Sequence, residues 1–275
     1  MPDINNLVVV SDLHCGCRVG LCPPRIKMDE GGWYEHGAVQ TQLLRWWGEF
    51  WDEWVPRVTR NEPFAVLING DALDGKHHNA KSQISDNFAD QENIAAAMLE
   101  PLVEKCQGRL YMVRGTEAHV GASAENEERL ARRIGAFEKN NQHTQYEYWF
   151  RVGDGLIHAS HHIGTTGRAA YETSALMAEL MEMYVEASKW REEPPDVVVR
   201  SHRHRHIKVE VPTANTYGIV FTTPGWQAKT PFVYKIPGGR VTRAQFGGAI
   251  IRQGNEELYT RHNTFSLDRP KAEVI

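Results

Sequence analysis

Carboxylate and imidazole side chains follow five short apolar segments of this sequence. Each segment is predicted to be a buried strand and is followed within a few residues by groups that can bind a metal or transfer a proton. The segments are Leu7–Val10, Phe64–Ile68, Leu110–Val113, Gly155–Ser160 and Asp196–Val199, and the groups after them are, in order, Asp12 with His14, Asp71, His119, His161, and His202 with His204. This repeated placement predicts that the groups share one site.

The chemistry expected of such a site is metal binding. Side chains two residues apart on a strand point the same way, so Asp12 and His14 can project together from the end of their strand. In open α/β sheets the carboxyl ends of the strands are where ligands bind. Mixed His and Asp ligands suit Zn, Mn or Fe, and a carboxylate shared by two ions makes a dinuclear site. The residues therefore predict two divalent metal ions, with their identity open.

Strands and helices must alternate to position these groups. Strands are predicted at Ile4–Val10, Phe64–Asn69, Arg109–Arg114, Tyr146–Val152, Gly155–Ser160, Asp196–Arg200, Ile207–Val211 and Tyr217–Thr222. Amphipathic helices are predicted at Val39–Val58, Asp86–Cys106, Ser123–Asn140, with Ser123 as its N-cap, and Thr166–Trp190. A late hairpin is predicted over Phe232–Val241, turning at Pro237-Gly238-Gly239. The pattern indicates one α/β domain over 1–262, followed by a peripheral polar tail over 263–275.

Composition excludes several classes of protein. The chain has 275 residues, 41% of them hydrophobic and 24% charged, which is ordinary for a folded globular protein and excludes disordered and disulfide-scaffold classes. No apolar run approaches the roughly 18 residues of a membrane span. The N-terminal residues lack the features of a signal peptide, and four cysteines require no oxidising compartment, so we expect a cytoplasmic protein. The net charge of −4 argues against a dedicated nucleic-acid binder.

The ordered motifs resemble those of the calcineurin-like metallophosphoesterase superfamily. They are D-x-H at Asp12, G-D-x-x-D at Gly70, a G-N-H-like segment at Gly115, a single His at His161 and H-x-H at His202. The resemblance implies a four-layer α/β/β/α sandwich of two mixed sheets flanked by helices, with a dinuclear metal site at the carboxyl ends of the strands. It assigns one metal to Asp12, His14 and His204, the other to His161 and His202, and both to Asp71.

The third motif departs from the family pattern. The family has Gly-Asn-His, in which the Asn binds the second metal and the His donates a proton. Here Thr116, Glu117 and Ala118 separate Gly115 from His119. We expect His119 to take the role of the proton donor. The Asn position is open to Glu117, which is a better oxygen ligand than the Thr116 hydroxyl, or to water.

Several neighbouring residues leave alternatives open. His162 competes with His161 for the ligand role, and His161 is preferred because it lies directly at the strand end. Asp74 is expected to form hydrogen bonds within its loop rather than to bind metal. Candidate substrate contacts are His78 in the loop after Asp71, and the arginines that flank the metal motifs, Arg114 and Arg203 among them, since guanidinium groups bind phosphate oxygens.

The resemblance implies hydrolysis of a phosphoester by a hydroxide that bridges the two ions. A phosphodiester or nucleotide-like substrate is favoured. Two alternatives stay open at this point: a DNA nuclease of the same superfamily, and a non-catalytic binding protein that kept the metal fold after losing the third motif. The expected partner is a phosphoester, with a nucleotide or nucleic acid among the candidates, and the sequence does not indicate the oligomeric state.

Overall fold

The computed structural model describes residues 4–77, 81–164, 169–213, 217–236, 239–255 and 257–275. Its strands are β1 Asn6–Val10, β2 Arg25–Lys27, β3 Trp33–Glu35, β4 Ala65–Asn69, β5 Leu110–Val113, β6 Thr144–Gln145, β7 Glu147–Val152, β8 Gly155–Ser160, β9 Val197–Arg200, β10 Ile207–Pro212, β11 Tyr217–Thr222, β12 Phe246–Gln253 and β13 Leu258–Phe265. Its α-helices are α1 Ala38–Glu49, α2 Val55–Thr59, α3 Phe88–Lys105, α4 Glu117–Val120, α5 Glu125–Ile134 and α6 Glu172–Trp190. No described helix is both long and apolar enough to cross a membrane.

Two mixed sheets form the centre of the fold. The first has six strands in the order β13-β12-β1-β4-β5-β6, and the second has five in the order β10-β11-β9-β8-β7. The strands β1, β4 and β5 run parallel, as do β8, β9 and β11. Strands covered on both faces read as continuous aliphatic runs, and β1, with the sequence NLVVV, is buried along its whole length.

Alternating side chains of the central strands separate three apolar cores. On β1, Leu7 and Val9 face the second sheet, where Val197 and Phe221 complete a core between the sheets. The intervening residues Val8 and Val10 face outward into a larger core built with α1, α3 and α5. On the far side of the second sheet, α6 packs Leu176 and Leu180 on β9 and β11. The order helix, sheet, sheet, helix confirms the predicted four-layer sandwich.

The predicted helices are present with different ends, except that α6 ends at Trp190 as predicted; the predicted start of this helix at Thr166 lies outside the described residues. The helix predicted over Val39–Val58 consists of α1, a π-helical turn over Phe50–Trp54, and α2. Pro56 lies in the first turn of α2, where its missing N–H is tolerated. The predicted N-cap Ser123 was wrong, because Ala124 holds that position. The hairpin predicted over Phe232–Val241 was also wrong, because the described part of this segment contains turns and no strand.

Two strands were missed at the end of the chain. Strand β12 lies between β1 and β13 and pairs antiparallel with both. Strand β13 continues to Phe265, so the predicted boundary after His262 lies inside this strand. The exposed residues 268–275 follow it without regular secondary structure.

Candidate metal centre

The predicted metal ligands lie on tight turns at the carboxyl ends of neighbouring strands. Asp12 and His14 follow β1, Asp71 follows β4, and His202 and His204 follow β9. All five have a positive φ, of 52°, 46°, 53°, 69° and 52° in that order. A non-glycine residue in this conformation is uncommon and costs on the order of 1–3 kcal/mol, and such residues cluster at functional sites.

Backbone hydrogen bonds hold these turns in place. The amide of Asp12 donates to the carbonyl of Gly70 at 2.9 Å, and the amide of His14 donates to the carbonyl of Asp71 at 3.1 Å. The amide of Trp226 donates to the carbonyl of Asp12 at 2.8 Å. The turn after β1 is therefore fixed from two sides, which maintains its unfavourable backbone angles.

The first ligand set consists of Asp12, His14 and His204, which can each present one ligand atom within 4.8 Å of the others. The Nε2 atoms of His14 and His204 lie 3.1 Å apart, and Nε2 of His204 lies 3.3 Å from Oδ1 of Asp12. Oδ2 of Asp12 accepts hydrogen bonds from the Ser11 hydroxyl and the His202 amide. Oδ1 is buried and accepts no hydrogen bond of good geometry from a described residue.

This arrangement fits a bound cation. Metal–nitrogen bonds of about 2.0–2.1 Å place two nitrogen ligands of one ion roughly 3 Å apart, as the imidazoles of His14 and His204 are here. A buried carboxylate oxygen without a hydrogen-bond donor is costly unless a cation neutralises it. Burial raises the pKa of Asp12, but the adjacent His204 lowers it more, to about 2, so the carboxylate is ionised. The nitrogen and oxygen donors together suit Zn, Mn or Fe.

The second ligand set is built around Asp71 and His161. Nε2 of His161 lies 3.0 Å from Oδ2 of Asp71. Nδ1 of His161 donates to the backbone carbonyl of Asn69 at 2.7 Å, which orients the ring and leaves Nε2 to face the carboxylate. His202 is brought to the same place, because it forms a group with His161 and His162 whose ligand atoms all lie within 4.8 Å.

The two sets are contiguous. Asp12, Asp71 and His161 also form a group within 4.8 Å, which joins the first set to the second. Asp71 thus lies where the two sets meet, and its predicted bridging role stays a prediction. His161 is buried against Asp71, whereas His162 is exposed.

Thr116 lies where the sequence motif expects an asparagine. Its hydroxyl oxygen is 3.2 Å from Oδ2 of Asp71, 3.4 Å from Nε2 of His161 and 3.2 Å from Nδ1 of His202. Its amide donates to Oδ1 of Asp71 at 2.6 Å. Glu117 begins α4 with an exposed side chain and belongs to none of the metal-binding groups among the described residues. The Thr116 hydroxyl is therefore the oxygen donor available to the second set.

Asp74 contacts the first ligand set through the Nδ1 atom of His14. Its Oδ1 lies 3.2 Å from Nδ1 of His14, and its carboxylate accepts hydrogen bonds from Gln83 and Gln227, both at 2.9 Å. Burial raises the pKa of Asp74, but hydrogen bonds to His14 and His77 lower it by a larger amount. The pKa is therefore below its usual value, and the group is ionised. A carboxylate behind a ligating imidazole fixes the ring and increases its basicity.

Glu127 was missed by the sequence reasoning. It lies on α5, is fully buried, and accepts hydrogen bonds from the amides of Ala72 at 2.8 Å and Gly115 at 2.7 Å. It thereby ties the turn after β4 to the turn after β5. Burial, with the charge of Asp71, raises its pKa to about 7. The only sequence signal was a glutamate at an apolar position of an amphipathic helix.

Two glycines allow the close approach of these turns. A Cβ atom on Gly115 would lie 2.2 Å from Oδ1 of Asp71, and one on Gly70 would lie 2.3 Å from Nδ1 of His161. Gly70 also has a φ of +85°. Larger side chains at either position would displace the ligands, so both glycines are required by the site.

His119 lies beside the first ligand set. Its ring centroid is 4.6 Å from that of His14, and Nδ1 donates to the backbone carbonyl of Asp74 at 2.6 Å. Burial, with the charge of His14, lowers the pKa of His119 to about 4, so the free protein holds it neutral. His14, Asp74 and His119 form another group within 4.8 Å. A cavity of about 450 Å³ opens beside both ligand sets and is lined in part by His119.

The predicted substrate contacts have different surroundings. Arg203 lines this cavity; one guanidinium nitrogen donates to the carbonyl of Gly164, and Nη1 is buried with no hydrogen-bond partner among the described residues. Arg114 packs over the Tyr146 ring at 4.5 Å and donates to Thr144, away from the described lining of the cavity. His78 lies outside the described residues.

Comparisons with known proteins find similarity among solved structures. Vacuolar protein sorting 29 from Cryptosporidium parvum aligns with a TM-score of 0.40 and 9% identity over 97% of this chain and 100% of its own. A Thermotoga maritima protein solved by NMR aligns with a TM-score of 0.36 and 11% identity over 96% of this chain and 100% of its own. The sulfate thiohydrolase SoxB from Thermus thermophilus, in complex with glycerol, has a TM-score of 0.43 and 14% identity, over 97% of this chain and 57% of that one.

No protein-family model and no curated protein matches the chain.

Proposed function

We propose that this protein is a phosphoester hydrolase that uses two divalent metal ions. The observation that carries the proposal is the pair of contiguous ligand sets joined through Asp12, Asp71 and His161 at the edge of one cavity. Two adjacent sets of nitrogen and oxygen donors suit the two-metal hydrolysis of phosphoesters. The motif resemblance described above supports the same reaction.

The residues divide into groups that hold ions and groups that face the substrate. Asp12, His14 and His204 would hold one ion, Asp71 with His161, His202 and Thr116 the other, with Asp71 shared between them. When bound, the two ions would neutralise the charge of the phosphate and supply an activated water.

The chain itself supplies orientation and proton transfer. Arg203 lines the cavity, where its guanidinium group would bind a phosphate oxygen. His119 would donate a proton to the departing oxygen from the cavity wall. The bound phosphate would help, because a nearby negative charge raises the pKa of an imidazole.

The test is hydrolysis after reconstitution with Mn, Zn or Fe. We expect turnover of p-nitrophenyl phosphate or bis(p-nitrophenyl) phosphate by the reconstituted protein, and loss of turnover in Asp12→Asn. The matched control is Asp154→Asn, which changes an exposed carboxylate in the turn between β7 and β8. Absence of turnover with every metal, or unchanged turnover in Asp12→Asn, would refute the proposal.

A further inference from the structure

The cavity at the metal centre has an apolar wall in addition to the wall formed by the metal ligands. This wall is supplied by described residues of the segment between β11 and β12, among which Phe232, Val233, Ile236 and Ala244 line the cavity. The ligands Asp71 and His204 line the same cavity. One continuous space of about 450 Å³ therefore connects the metal ligands to an apolar surface.

Four basic side chains contribute to the lining of the cavity. Lys229 and Arg243 from the same segment, and Arg203 and Arg205 from the turn after β9, line it. Arg205 is paired with Glu172, and Lys229 donates to the backbone carbonyl of Arg240 at 3.2 Å. Outside the metal ligands, the described lining thus has more basic than acidic groups, which favours an anion within a protein whose overall charge is −4.

The size and lining fit a compact ligand. Pockets for small molecules are about 300–1,000 Å³, mostly apolar, with a few fixed polar groups. A nucleic-acid strand instead requires an electropositive groove that follows the backbone beyond the reacting phosphate. Here the space beyond the metal ligands meets Val233 and Ile236, which would be poor partners for a chain of phosphates.

We propose that the substrate is a small organic phosphoester whose non-reacting group is apolar and about the size of a ring. This inference rests on the proposed function. The phosphate would face the metal ligands and Arg203, and the apolar group would contact Val233 and Ile236. These two side chains then determine specificity without touching the reacting atoms.

The test compares the binding of phenylphosphonate and methylphosphonate to the metal-loaded protein by calorimetry. Both probes carry a phosphonate group, and they differ in its apolar substituent, which is a ring in one and a methyl group in the other. We expect phenylphosphonate to bind about tenfold more tightly, because the wall removes its ring from water. Ile236→Asn should reduce this preference to about twofold or less, while the affinity for methylphosphonate and the metal content stay unchanged.

Val241→Asn is the matched control. Val241 belongs to the same segment but is 76% exposed and is absent from the described lining of the cavity, so its replacement should preserve the phenyl preference. Equal affinities for the two probes, no binding of either, or an unchanged preference in Ile236→Asn would overturn the inference. Turnover of phosphoesters without a phenyl preference would overturn this inference alone. A wall-dependent phenyl preference without any turnover would overturn the proposed function alone.

Discussion

At the scale of single residues, Thr116 shows what the sequence could not settle. The sequence left the position of the expected asparagine open to Glu117, which is a better oxygen ligand than the Thr116 hydroxyl, or to water. The structure gives Thr116 the N-cap position of α4, where its hydroxyl faces Asp71 and His202, and it starts the helix at Glu117 with the side chain in solvent. Residue types do not determine where a four-residue helix starts. The choice between Thr116 and Glu117 therefore required the structure.

Replacing Thr116 should weaken the second metal selectively. Thr116→Val keeps the shape and removes the hydroxyl, and we expect about 10–100-fold weaker binding of one ion. Thr116→Asn supplies a side-chain oxygen and should retain the affinity for this ion. The measurement is metal titration followed by elemental analysis. The control is Glu117→Gln, which should bind like the wild type; weakening in that variant with none in Thr116→Val would reverse the assignment.

His119 should matter according to the leaving group. If it protonates the departing oxygen, His119→Ala should slow an alkyl phosphoester by about 10²–10⁴-fold. A nitrophenyl ester should slow little, because nitrophenolate leaves readily without a proton. Metal content should be unchanged. An equal loss of rate on both esters, together with the loss of one ion, would instead identify His119 as a metal ligand. Its position close to His14 and Asp74 is compatible with that role.

Metal binding should release a proton from His161. Burial lowers the pKa of this imidazole, but the charge of Asp71 raises it more, to about 10, so the metal-free protein holds the proton at pH 7. A metal needs the unprotonated nitrogen, so this group alone should make affinity rise about tenfold per pH unit from neutrality towards pH 10. Calorimetry in buffers of different ionisation enthalpy counts the protons. Release should fall in His161→Asn, and zero release by the wild type would refute the coupling.

At the scale of elements, strands with consecutive or alternating apolar residues were predictable, whereas a strand that opens with two glycines and a largely polar edge strand were not. The runs that became β8 and β11 were predicted with their observed ends. Strand β12 begins Phe-Gly-Gly, which is more typical of a turn, and β13 is a largely polar edge strand. Their stability comes from pairing with β1 and with each other, which is tertiary information.

Gly248 tests the packing of β12. A Cβ atom there would lie 2.6 Å from the carbonyl oxygen of Val9 and 2.7 Å from the ring of Phe50. We expect Gly248→Ala to lower the free energy of unfolding by about 1–3 kcal/mol through overpacking, measured by urea denaturation. Gly37→Ala is the control, since a Cβ atom at Gly37 meets no described atom within 4 Å and should cost less than about 1 kcal/mol. Equal stability of the two variants would contradict this packing.

At the scale of the whole molecule, the sequence was informative because the site draws on both sheets in a fixed order. Asp12 and Asp71 come from the first sheet, and His161, His202 and His204 come from the second. Each of these residues follows the end of a strand. The order of the motifs and the predicted strands were therefore enough to identify them as members of one site. The supporting groups Glu127 and Gln227 follow no such rule, since they reach the site through packing between elements that are distant in sequence.

The central claim is that two ions share Asp71 at this junction, and metal content after exhaustive dialysis tests it most directly. Asp71→Asn preserves the shape of the side chain and removes its charge. We predict two ions per chain in the wild type and in the control Asp154→Asn, and less than one in Asp71→Asn, with its hydrolysis nearly abolished. Two ions per chain in Asp71→Asn, measured by elemental analysis of the folded variant, would contradict the claim.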